Sequence, residues 1–257
     1  MRKTHAWINT SEGLCIFAST INHVGSHDYT GTMDWINSPI ARLIHGINVE
    51  FGAERLRILR QRICADYDIS SWDHNLIKVC AKRFCNSRNL DEDAAKARRV
   101  IDIGANLQVD QTSARLQHLT GKVFSHKDAL ELCVSLADEQ KSTHSDVKLH
   151  LAPRKVGALI LDRSGKLLVA TVNTNASCQM LHAEVNLILN LRERGIHEIP
   201  NGAQIYVSLK PCRMCASLIL RSAFNSSSIK IIAAADDTGR FGRHNILSGI
   251  LEIQETT

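Results

Sequence analysis

The sequence lacks the features that mark membrane-spanning and non-globular chains. No stretch approaches the roughly 18 consecutive apolar residues of a transmembrane helix. The 257 residues include only 4 prolines and 14 glycines, and no fixed-period repeat or Pro- or Ser/Gly-rich linker is visible. With 44% hydrophobic and 22% charged residues, the composition predicts a folded globular protein without a membrane partner.

The N-terminus also lacks the apolar core of a secretory signal. Arg2 and Lys3 give it a basic start, but polar residues between His5 and Glu12 interrupt the apolar run that such a signal requires. We therefore expect a cytoplasmic protein.

No large excess of either charge is present. The 31 Lys and Arg residues against 26 Asp and Glu residues give a net charge of +5, far from the dense basic surface of a dedicated nucleic-acid binder. The 8 cysteines are irregularly spaced in a chain long enough to bury a hydrophobic core. We interpret them as reduced thiols or metal ligands rather than a disulfide framework.

A change of pattern near Gly121 divides the chain. Residues 1–120 are predicted to form a mainly helical N-terminal domain of unknown role. This prediction depends on apolar residues at helix-like spacing in three segments: Glu50–Ile69, Ser71–Phe84 and Asp91–Ala105.

Residues 121–257 alternate between helical and strand patterns. Strand–helix–strand steps need parallel pairing, so this order predicts an α/β fold: a three-layer α-β-α domain with a mixed sheet of about five strands. The predicted helices are His126–Ser142, His182–Arg194 and Pro211–Ala223. The predicted strands are Val156–Leu161, Lys166–Val172, Gln204–Leu209, Ile229–Ala235 and Ile250–Ile253.

Two short motifs at helix starts carry the chemistry. Cys212 and Cys215 lie three residues apart on the first turn of a helix that Pro211 opens, so both sulfurs project to one side. A helix N-terminus favours the thiolate form that binds metal. With His182 at the start of the preceding helix, the site offers one nitrogen and two sulfurs, a set that selects Zn²⁺ and leaves a fourth position open to water.

Glu184 follows the histidine by two residues at the same helix start. Its carboxylate can point into the same cavity without binding the metal. Since zinc lowers the pKa of water from 15.7 to about 7, a carboxylate beside it can accept a proton and deliver it to a ring nitrogen and a leaving amine. Glu184 is thus the predicted catalytic residue of a hydrolytic deamination.

The two motifs together are similar to the signature of a known superfamily. His182-Ala183-Glu184 followed by Pro211-Cys212-Arg213-Met214-Cys215 resembles the H-x-E…P-C-x-x-C pattern of cytidine-deaminase-like enzymes. The resemblance covers the chain from about Ser125 onward. Residues 206–216 look most like the branch of tRNA adenosine deaminases and guanine deaminases.

This resemblance implies a zinc-dependent hydrolase acting on an adenine or cytosine base, within tRNA or another single-stranded nucleic acid. It implies substrate contacts at Asn173, Ala183 and Pro211, with Asn175 as the alternative to Asn173. It also implies a homodimer.

Two alternatives remain open from the sequence. A deaminase of a free nucleoside, nucleotide or nucleobase would carry the same motifs. A non-catalytic binding module stabilised by zinc would instead close the tetrahedron with a fourth protein ligand, for which Cys178 is the candidate nearest in sequence.

Overall fold

The computed structural model divides the chain into two compact units, Met1–Leu107 and Gln108–Thr257. None of the helices it describes is long and apolar enough to cross a membrane. The described residues are 2–22, 38–51, 55–66, 71–78, 84–86, 90–103, 115–139, 155–174, 180–238, 242, 246–247 and 249–254.

The first unit contains a five-stranded mixed sheet with the order β4-β3-β1-β2-β5. A β1–β2 antiparallel hairpin forms its centre, and Gly13, with φ of +81°, supplies the left-handed residue that its turn needs. β3 pairs antiparallel with β1, whereas β5 pairs parallel with β2. The strands are β1 (Arg2–Asn9), β2 (Leu14–Asn22), β3 (Ile63–Ala65), β4 (Phe84–Asn86) and β5 (Arg99–Asp102).

Helix α1 covers this sheet and packs against β1 and β2. It begins with a Ser38 N-cap, whose hydroxyl accepts a hydrogen bond from the Ala41 N–H, and with Pro39 in the first turn. Ile40, Leu43, Ile44 and Ile47 are fully buried, so the side chains of one helical face form part of the core. The helices of this unit are α1 (Pro39–Glu50), α2 (Arg55–Leu59), α3 (Ser71–Leu76) and α4 (Leu90–Ala95).

This unit differs from the mainly helical domain that the sequence predicted. The segment predicted as one helix over Glu50–Ile69 contains α2 and then β3, and the segment over Asp91–Ala105 contains α4 and then β5. Short apolar runs fit a helix or a strand equally well by periodicity. Pairing with β1 and β2, which are distant in the sequence, decides the outcome.

The interpretation of every cysteine as a reduced thiol or ligand is also wrong, as Cys64 shows. Cys64 is disulfide-bonded. Free thiols are found at Cys15, Cys133, Cys212 and Cys215. Irregular spacing along the sequence does not reveal which cysteines meet in space, so it could not predict this bond.

The second unit has the predicted three-layer α/β architecture. It includes a 3₁₀ helix at Arg115–Leu119, and its mixed five-stranded sheet has the order β10-β9-β8-β6-β7. The helices are α5 (His126–Glu139), α6 (Ala183–Glu193) and α7 (Arg213–Ser222). The strands are β6 (Gly157–Leu161), β7 (Leu167–Val172), β8 (Gln204–Val207), β9 (Lys230–Ala233) and β10 (Leu251–Ile253).

Alternation along the strands divides the core between the two faces of the sheet. On one face, Leu159, Ala170 and Tyr206 pack against Leu130 and Cys133 of α5. Neighbouring strand residues point the other way. There the hydroxyl of Thr171 donates a 2.8 Å hydrogen bond to the Ala183 carbonyl at the start of α6. The sheet is therefore covered on both sides.

Gly157 allows α5 to lie close to the sheet. A Cβ atom at this position would come within 2.3 Å of the Cys133 carbonyl oxygen and 2.9 Å of the Leu136 Cβ. Only glycine permits this approach without moving the helix.

Candidate active site

The sheet topology places two helix starts at one edge. β6 pairs antiparallel with both β7 and β8, so β7 and β8 run in the same direction, and β9 is parallel to β8. The chain leaves β7 toward α6 and leaves β8 toward α7. The starts of both helices therefore lie near the carboxyl edge of the sheet, where α/β proteins commonly bind ligands.

His182 and Cys212 occupy the N-cap positions of α6 and α7, and neither side chain makes a capping hydrogen bond. N-caps are usually Ser, Thr, Asp or Asn, whose oxygen accepts a backbone N–H bond. Here the two side chains turn toward each other instead. The local helix ends give up a stabilising contact, and a cluster of metal-binding atoms results.

The three predicted ligands converge. Nδ1 of His182 lies 3.7 Å from Sγ of Cys212 and 3.4 Å from Sγ of Cys215, and the two sulfurs are 3.6 Å apart. Within the described residues, these three form the one group of three or more His, Cys, Asp or Glu side chains whose possible ligand atoms all lie within 4.8 Å of one another.

The donor spacing fits a tetrahedral zinc ion. Zn–S bonds of about 2.3 Å and Zn–N bonds of about 2.0 Å at tetrahedral angles require separations of about 3.8 Å between sulfurs and about 3.5 Å between sulfur and nitrogen. The separations in the structure are close to these values. His182, Cys212 and Cys215 could therefore hold zinc with little rearrangement.

The pKa values of the two buried cysteines are shifted in opposite directions. The pKa of Cys212 is well below its usual value, because the Cys215 S–H and His182 stabilise its thiolate. The pKa of Cys215 is raised well above its usual value by burial and by the neighbouring Cys212 thiolate. The cluster without metal thus contains one thiolate that is ready to bind a cation.

Glu184 lies next to this cluster in the first turn of α6 and is 3% exposed. Burial raises its pKa to about 7, against the lowering effect of His182. A side-chain hydrogen bond also links its carboxyl group to Cys215. A carboxyl group poised near neutral pH can both accept and donate a proton.

The predicted substrate contacts surround the same helix starts. Asn173 directly follows β7 and is 2% exposed, and its N–H donates to the Val156 carbonyl at 2.8 Å. Ala183 is fully buried and Pro211 is buried. The alternatives Asn175 and Cys178 lie outside the described residues.

Sequence reasoning missed one buried polar residue near the site. Asn186 is fully buried in α6, one turn after His182. Its Nδ2 donates to the Val172 carbonyl and to the Thr174 hydroxyl, both at 2.9 Å. An amide between Val185 and Leu187 on a largely apolar helix was the sequence signal that could have identified it.

An ion pair also ties the loop before Cys212 to the end of β9. The Lys210 ammonium lies 2.9 Å from Oδ1 of Asp236, and its side chain is only 14% exposed. The Lys210 N–H donates to the Ala235 carbonyl at 2.9 Å. The loop before Cys212 is therefore fixed through both the backbone and the side chain of Lys210.

Comparison with known proteins finds a family model that is similar to the segment containing this site. Residues 147–250 match the model of the Bd3614-like deaminase family, and this segment includes Glu184 and the three residues of the cluster. No curated protein matches the chain. This segment of the chain is therefore similar to a deaminase family, as its motifs predicted.

Several solved structures are similar to parts of the chain. A tRNA:A34 deaminase, from a study of A-to-I editing at the wobble position of transfer RNA, is 22% identical over 51% of this chain and 98% of its own, with a TM-score of 0.36. The dCMP deaminase of cyanophage S-TIM5 is 16% identical over 51% of this chain and 95% of its own, with a TM-score of 0.37. A guanine deaminase from Nitrosomonas europaea is 16% identical over 58% of this chain and 87% of its own, with a TM-score of 0.41.

Proposed function

We propose that this protein is a zinc-dependent hydrolase that deaminates an adenine or cytosine base within RNA or DNA. His182, Cys212 and Cys215 hold the metal, and Glu184 moves the protons. The proposed catalytic domain spans residues 121–257 and so includes the family match at 147–250.

One observation carries this proposal: a nitrogen and two sulfurs lie at tetrahedral zinc spacing beside a buried carboxyl group whose pKa is about 7. A structural zinc site needs no such carboxyl group, and structural sites generally use four protein ligands. A deaminase needs both the three-ligand cluster and the proton carrier.

The reaction replaces the exocyclic amine of the base with oxygen and releases ammonia. A zinc ion held by His182, Cys212 and Cys215 would lower the pKa of water and so make it nucleophilic at neutral pH. Glu184 accepts one proton from the attacking water and passes it to the ring nitrogen next to the attacked carbon. It then takes the remaining hydroxyl proton from the oxygen added at that carbon and gives it to the amine, which leaves as ammonia. Its raised pKa suits this exchange, because neither protonation state is strongly preferred near pH 7.

The remaining contacts concern the substrate. We assign Asn173 to hydrogen bonding with the base or sugar, and Ala183 and Pro211 to the walls of the base pocket. Backbone N–H groups at the start of α7 can stabilise developing negative charge. A base in a duplex has to be flipped out, whereas a base in a single-stranded loop of tRNA is already accessible. The proposal includes a homodimer, which light scattering during size-exclusion chromatography tests directly.

The decisive experiment measures metal content and ammonia release together. Purified full-length protein is assayed against adenosine, cytidine, guanosine, their nucleotides and free bases, and single-stranded RNA and DNA oligonucleotides. We expect about one zinc per chain and ammonia release from an oligonucleotide, with binding that weakens steeply as salt rises. Glu184→Gln should retain zinc and lose turnover.

Other outcomes separate the alternatives. Turnover of a free nucleoside with little response to salt would make the protein a small-molecule deaminase. Zinc without turnover on any substrate would favour a binding module and contradict the proposal. Full activity in Glu184→Gln would remove this residue from the mechanism.

A further inference from the structure

We propose that Asn186 is a positioning residue that fixes Asn173 beside the metal cluster. This inference rests on the proposed function, because Asn173 is the proposed substrate contact. It concerns hydrogen bonds that link α6 to the end of β7.

The Asn186 amide holds the residues on both sides of Asn173. Its Nδ2 donates to the Val172 carbonyl at 2.9 Å and to the Thr174 hydroxyl at 2.9 Å. A carbonyl oxygen only accepts hydrogen bonds, so the atom that faces Val172 must be the nitrogen. Both donors of one buried amide therefore bind the segment that carries Asn173.

The same segment is held to α6 by further hydrogen bonds. The Thr171 hydroxyl donates to the Ala183 carbonyl at 2.8 Å, and the Thr174 N–H donates to the Leu181 carbonyl at 2.9 Å. Asn186 is fully buried, so its two bonds are shielded from competing water. Residues 171–174 and α6 are thus joined by several hydrogen bonds.

This link matters because α6 also carries the reactive groups. His182 is its N-cap, Glu184 is in its first turn, and Asn186 is in the next turn. A fixed distance between Asn173 and Glu184 places a bound base at a fixed position relative to the proton carrier. If this segment is no longer held, Asn173 has to be ordered when the substrate binds, and this cost weakens binding.

A merely structural role for the residue predicts a different result. The chain offers a matched control in Asn190, which is also buried, at 2% exposure, and lies one turn further along α6. Its Nδ2 donates to the Asn186 carbonyl within the same helix rather than to residues 171–174. Replacing either amide by leucine removes a buried donor, but only Asn186→Leu releases the segment that carries Asn173.

The experiment compares Asn186→Leu, Asn190→Leu and wild type in three readouts: zinc content, steady-state kinetics on the substrate that the wild type deaminates, and backbone hydrogen exchange of peptides covering residues 171–174. We expect Asn186→Leu to retain zinc, raise KM about tenfold with a smaller change in kcat, and speed exchange in this segment several-fold. Asn190→Leu should leave KM and this exchange rate near the wild-type values. Equal changes of KM and exchange in the two variants would overturn the inference.

A milder pair of variants covers the case in which Asn186→Leu does not fold. Thr174→Val removes one of the two acceptors, and Thr174→Ser retains it. We expect Thr174→Val to raise KM about threefold and speed exchange in 171–174, and Thr174→Ser to restore both. Unchanged exchange in Thr174→Val would overturn the inference. Since exchange is measured without substrate, this result is separate from any failure of the wild type to deaminate.

Discussion

Nδ1 of His182 and Sγ of Cys212 lie 3.7 Å apart, and both residues are the N-caps of their helices. A side chain at the N-cap position ordinarily stabilises its own helix end, but these two side chains face each other instead. The two helix starts are therefore less stable than helices with ordinary N-caps, and their side chains are free to bind metal. Substitutions at Cys212 and Cys215 should separate these two effects.

We expect Cys212→Ser to stabilise the metal-free protein while it abolishes the stabilisation by zinc. Serine is among the best N-cap residues, so the gain is about 1 kcal/mol, or a few degrees in melting temperature. Melting temperatures measured in EDTA and with added zinc check both effects.

Cys215→Ser is the matched control for this test. It removes the other sulfur but lies in the first turn of α7 rather than at its N-cap. The variant should lose the response to zinc without a gain in EDTA. An equal gain in both variants would contradict the capping explanation.

Zinc affinity should fall as pH falls. Zinc binds thiolates, so protons must leave the cysteine pair on binding. The pKa of Cys212 is lowered and that of Cys215 is raised, so near neutral pH the proton that zinc displaces comes mainly from Cys215. Calorimetry in buffers of different ionisation enthalpy measures the number released. A zinc affinity independent of pH would contradict this assignment.

Glu184 should destabilise the metal-free protein as pH rises. Its pKa is about 7 in the folded state and about 4.5 as an ordinary glutamate, so the folded state binds the proton more tightly. Its protonated form is fully compatible with folding below pH 4.5, and stability is lost as pH rises toward 7. Glutamine at this position does not titrate.

Urea unfolding in EDTA at pH 4.5 and pH 8 therefore tests this point. The free energy of unfolding of Glu184→Gln relative to wild type should increase between these two pH values by up to about 3 kcal/mol. The cysteine pair titrates in both proteins, so its contribution largely cancels. A difference that does not change with pH would rule out a raised pKa.

Gly157→Ala should destabilise the second unit by about 2 kcal/mol or more, because the new Cβ would come within 2.3 Å of the Cys133 carbonyl oxygen. Gly195→Ala provides the comparison. Gly195 has open space around it but a φ of +76°, so alanine there should cost only about 1 kcal/mol. Chemical denaturation measures both values. A smaller effect at Gly157 than at Gly195 would mean that α5 moves away easily.

The sequence predicted the second unit well because its signals are local. The turn at Asp162–Gly165 separates two β-branched runs, and these form the β6–β7 hairpin. Pro211 marks the start of α7 to within two residues. The helix and strand order predicted for residues 121–257 agrees with the structure over the residues that it describes.

The first unit was not predictable in the same way. β3 and β5 have only three and four residues, and each is defined by pairing with a strand far away in the sequence. No local pattern distinguishes such short apolar runs from a turn of helix. The five-stranded sheet is therefore determined by tertiary contacts and not by the local sequence.

The sequence predicted the residues of the candidate site but not the buried hydrogen bonds that lie behind it. The motifs identified His182, Glu184, Cys212 and Cys215, and the structure brings the three proposed ligands within hydrogen-bonding distances of one another. Asn186 could be recognised only after its partners at Val172 and Thr174 were located. Which backbone carbonyl a buried amide meets depends on how the helix lies on the sheet.

The separation of the ligands along the sequence has a consequence for synthesis of the chain. His182 and Cys212 are 30 residues apart, and β8 must pair with β6 before α7 can present its sulfurs. During translation the β6–β7 hairpin can form early, because its contacts are local, whereas the later crossover is slow. We therefore expect pulse-labelling to show protection of the hairpin before β8 and β9. The nascent polypeptide would then acquire a metal ion only after α7 has been synthesised, so metal supply would govern a late step of maturation rather than the start of folding.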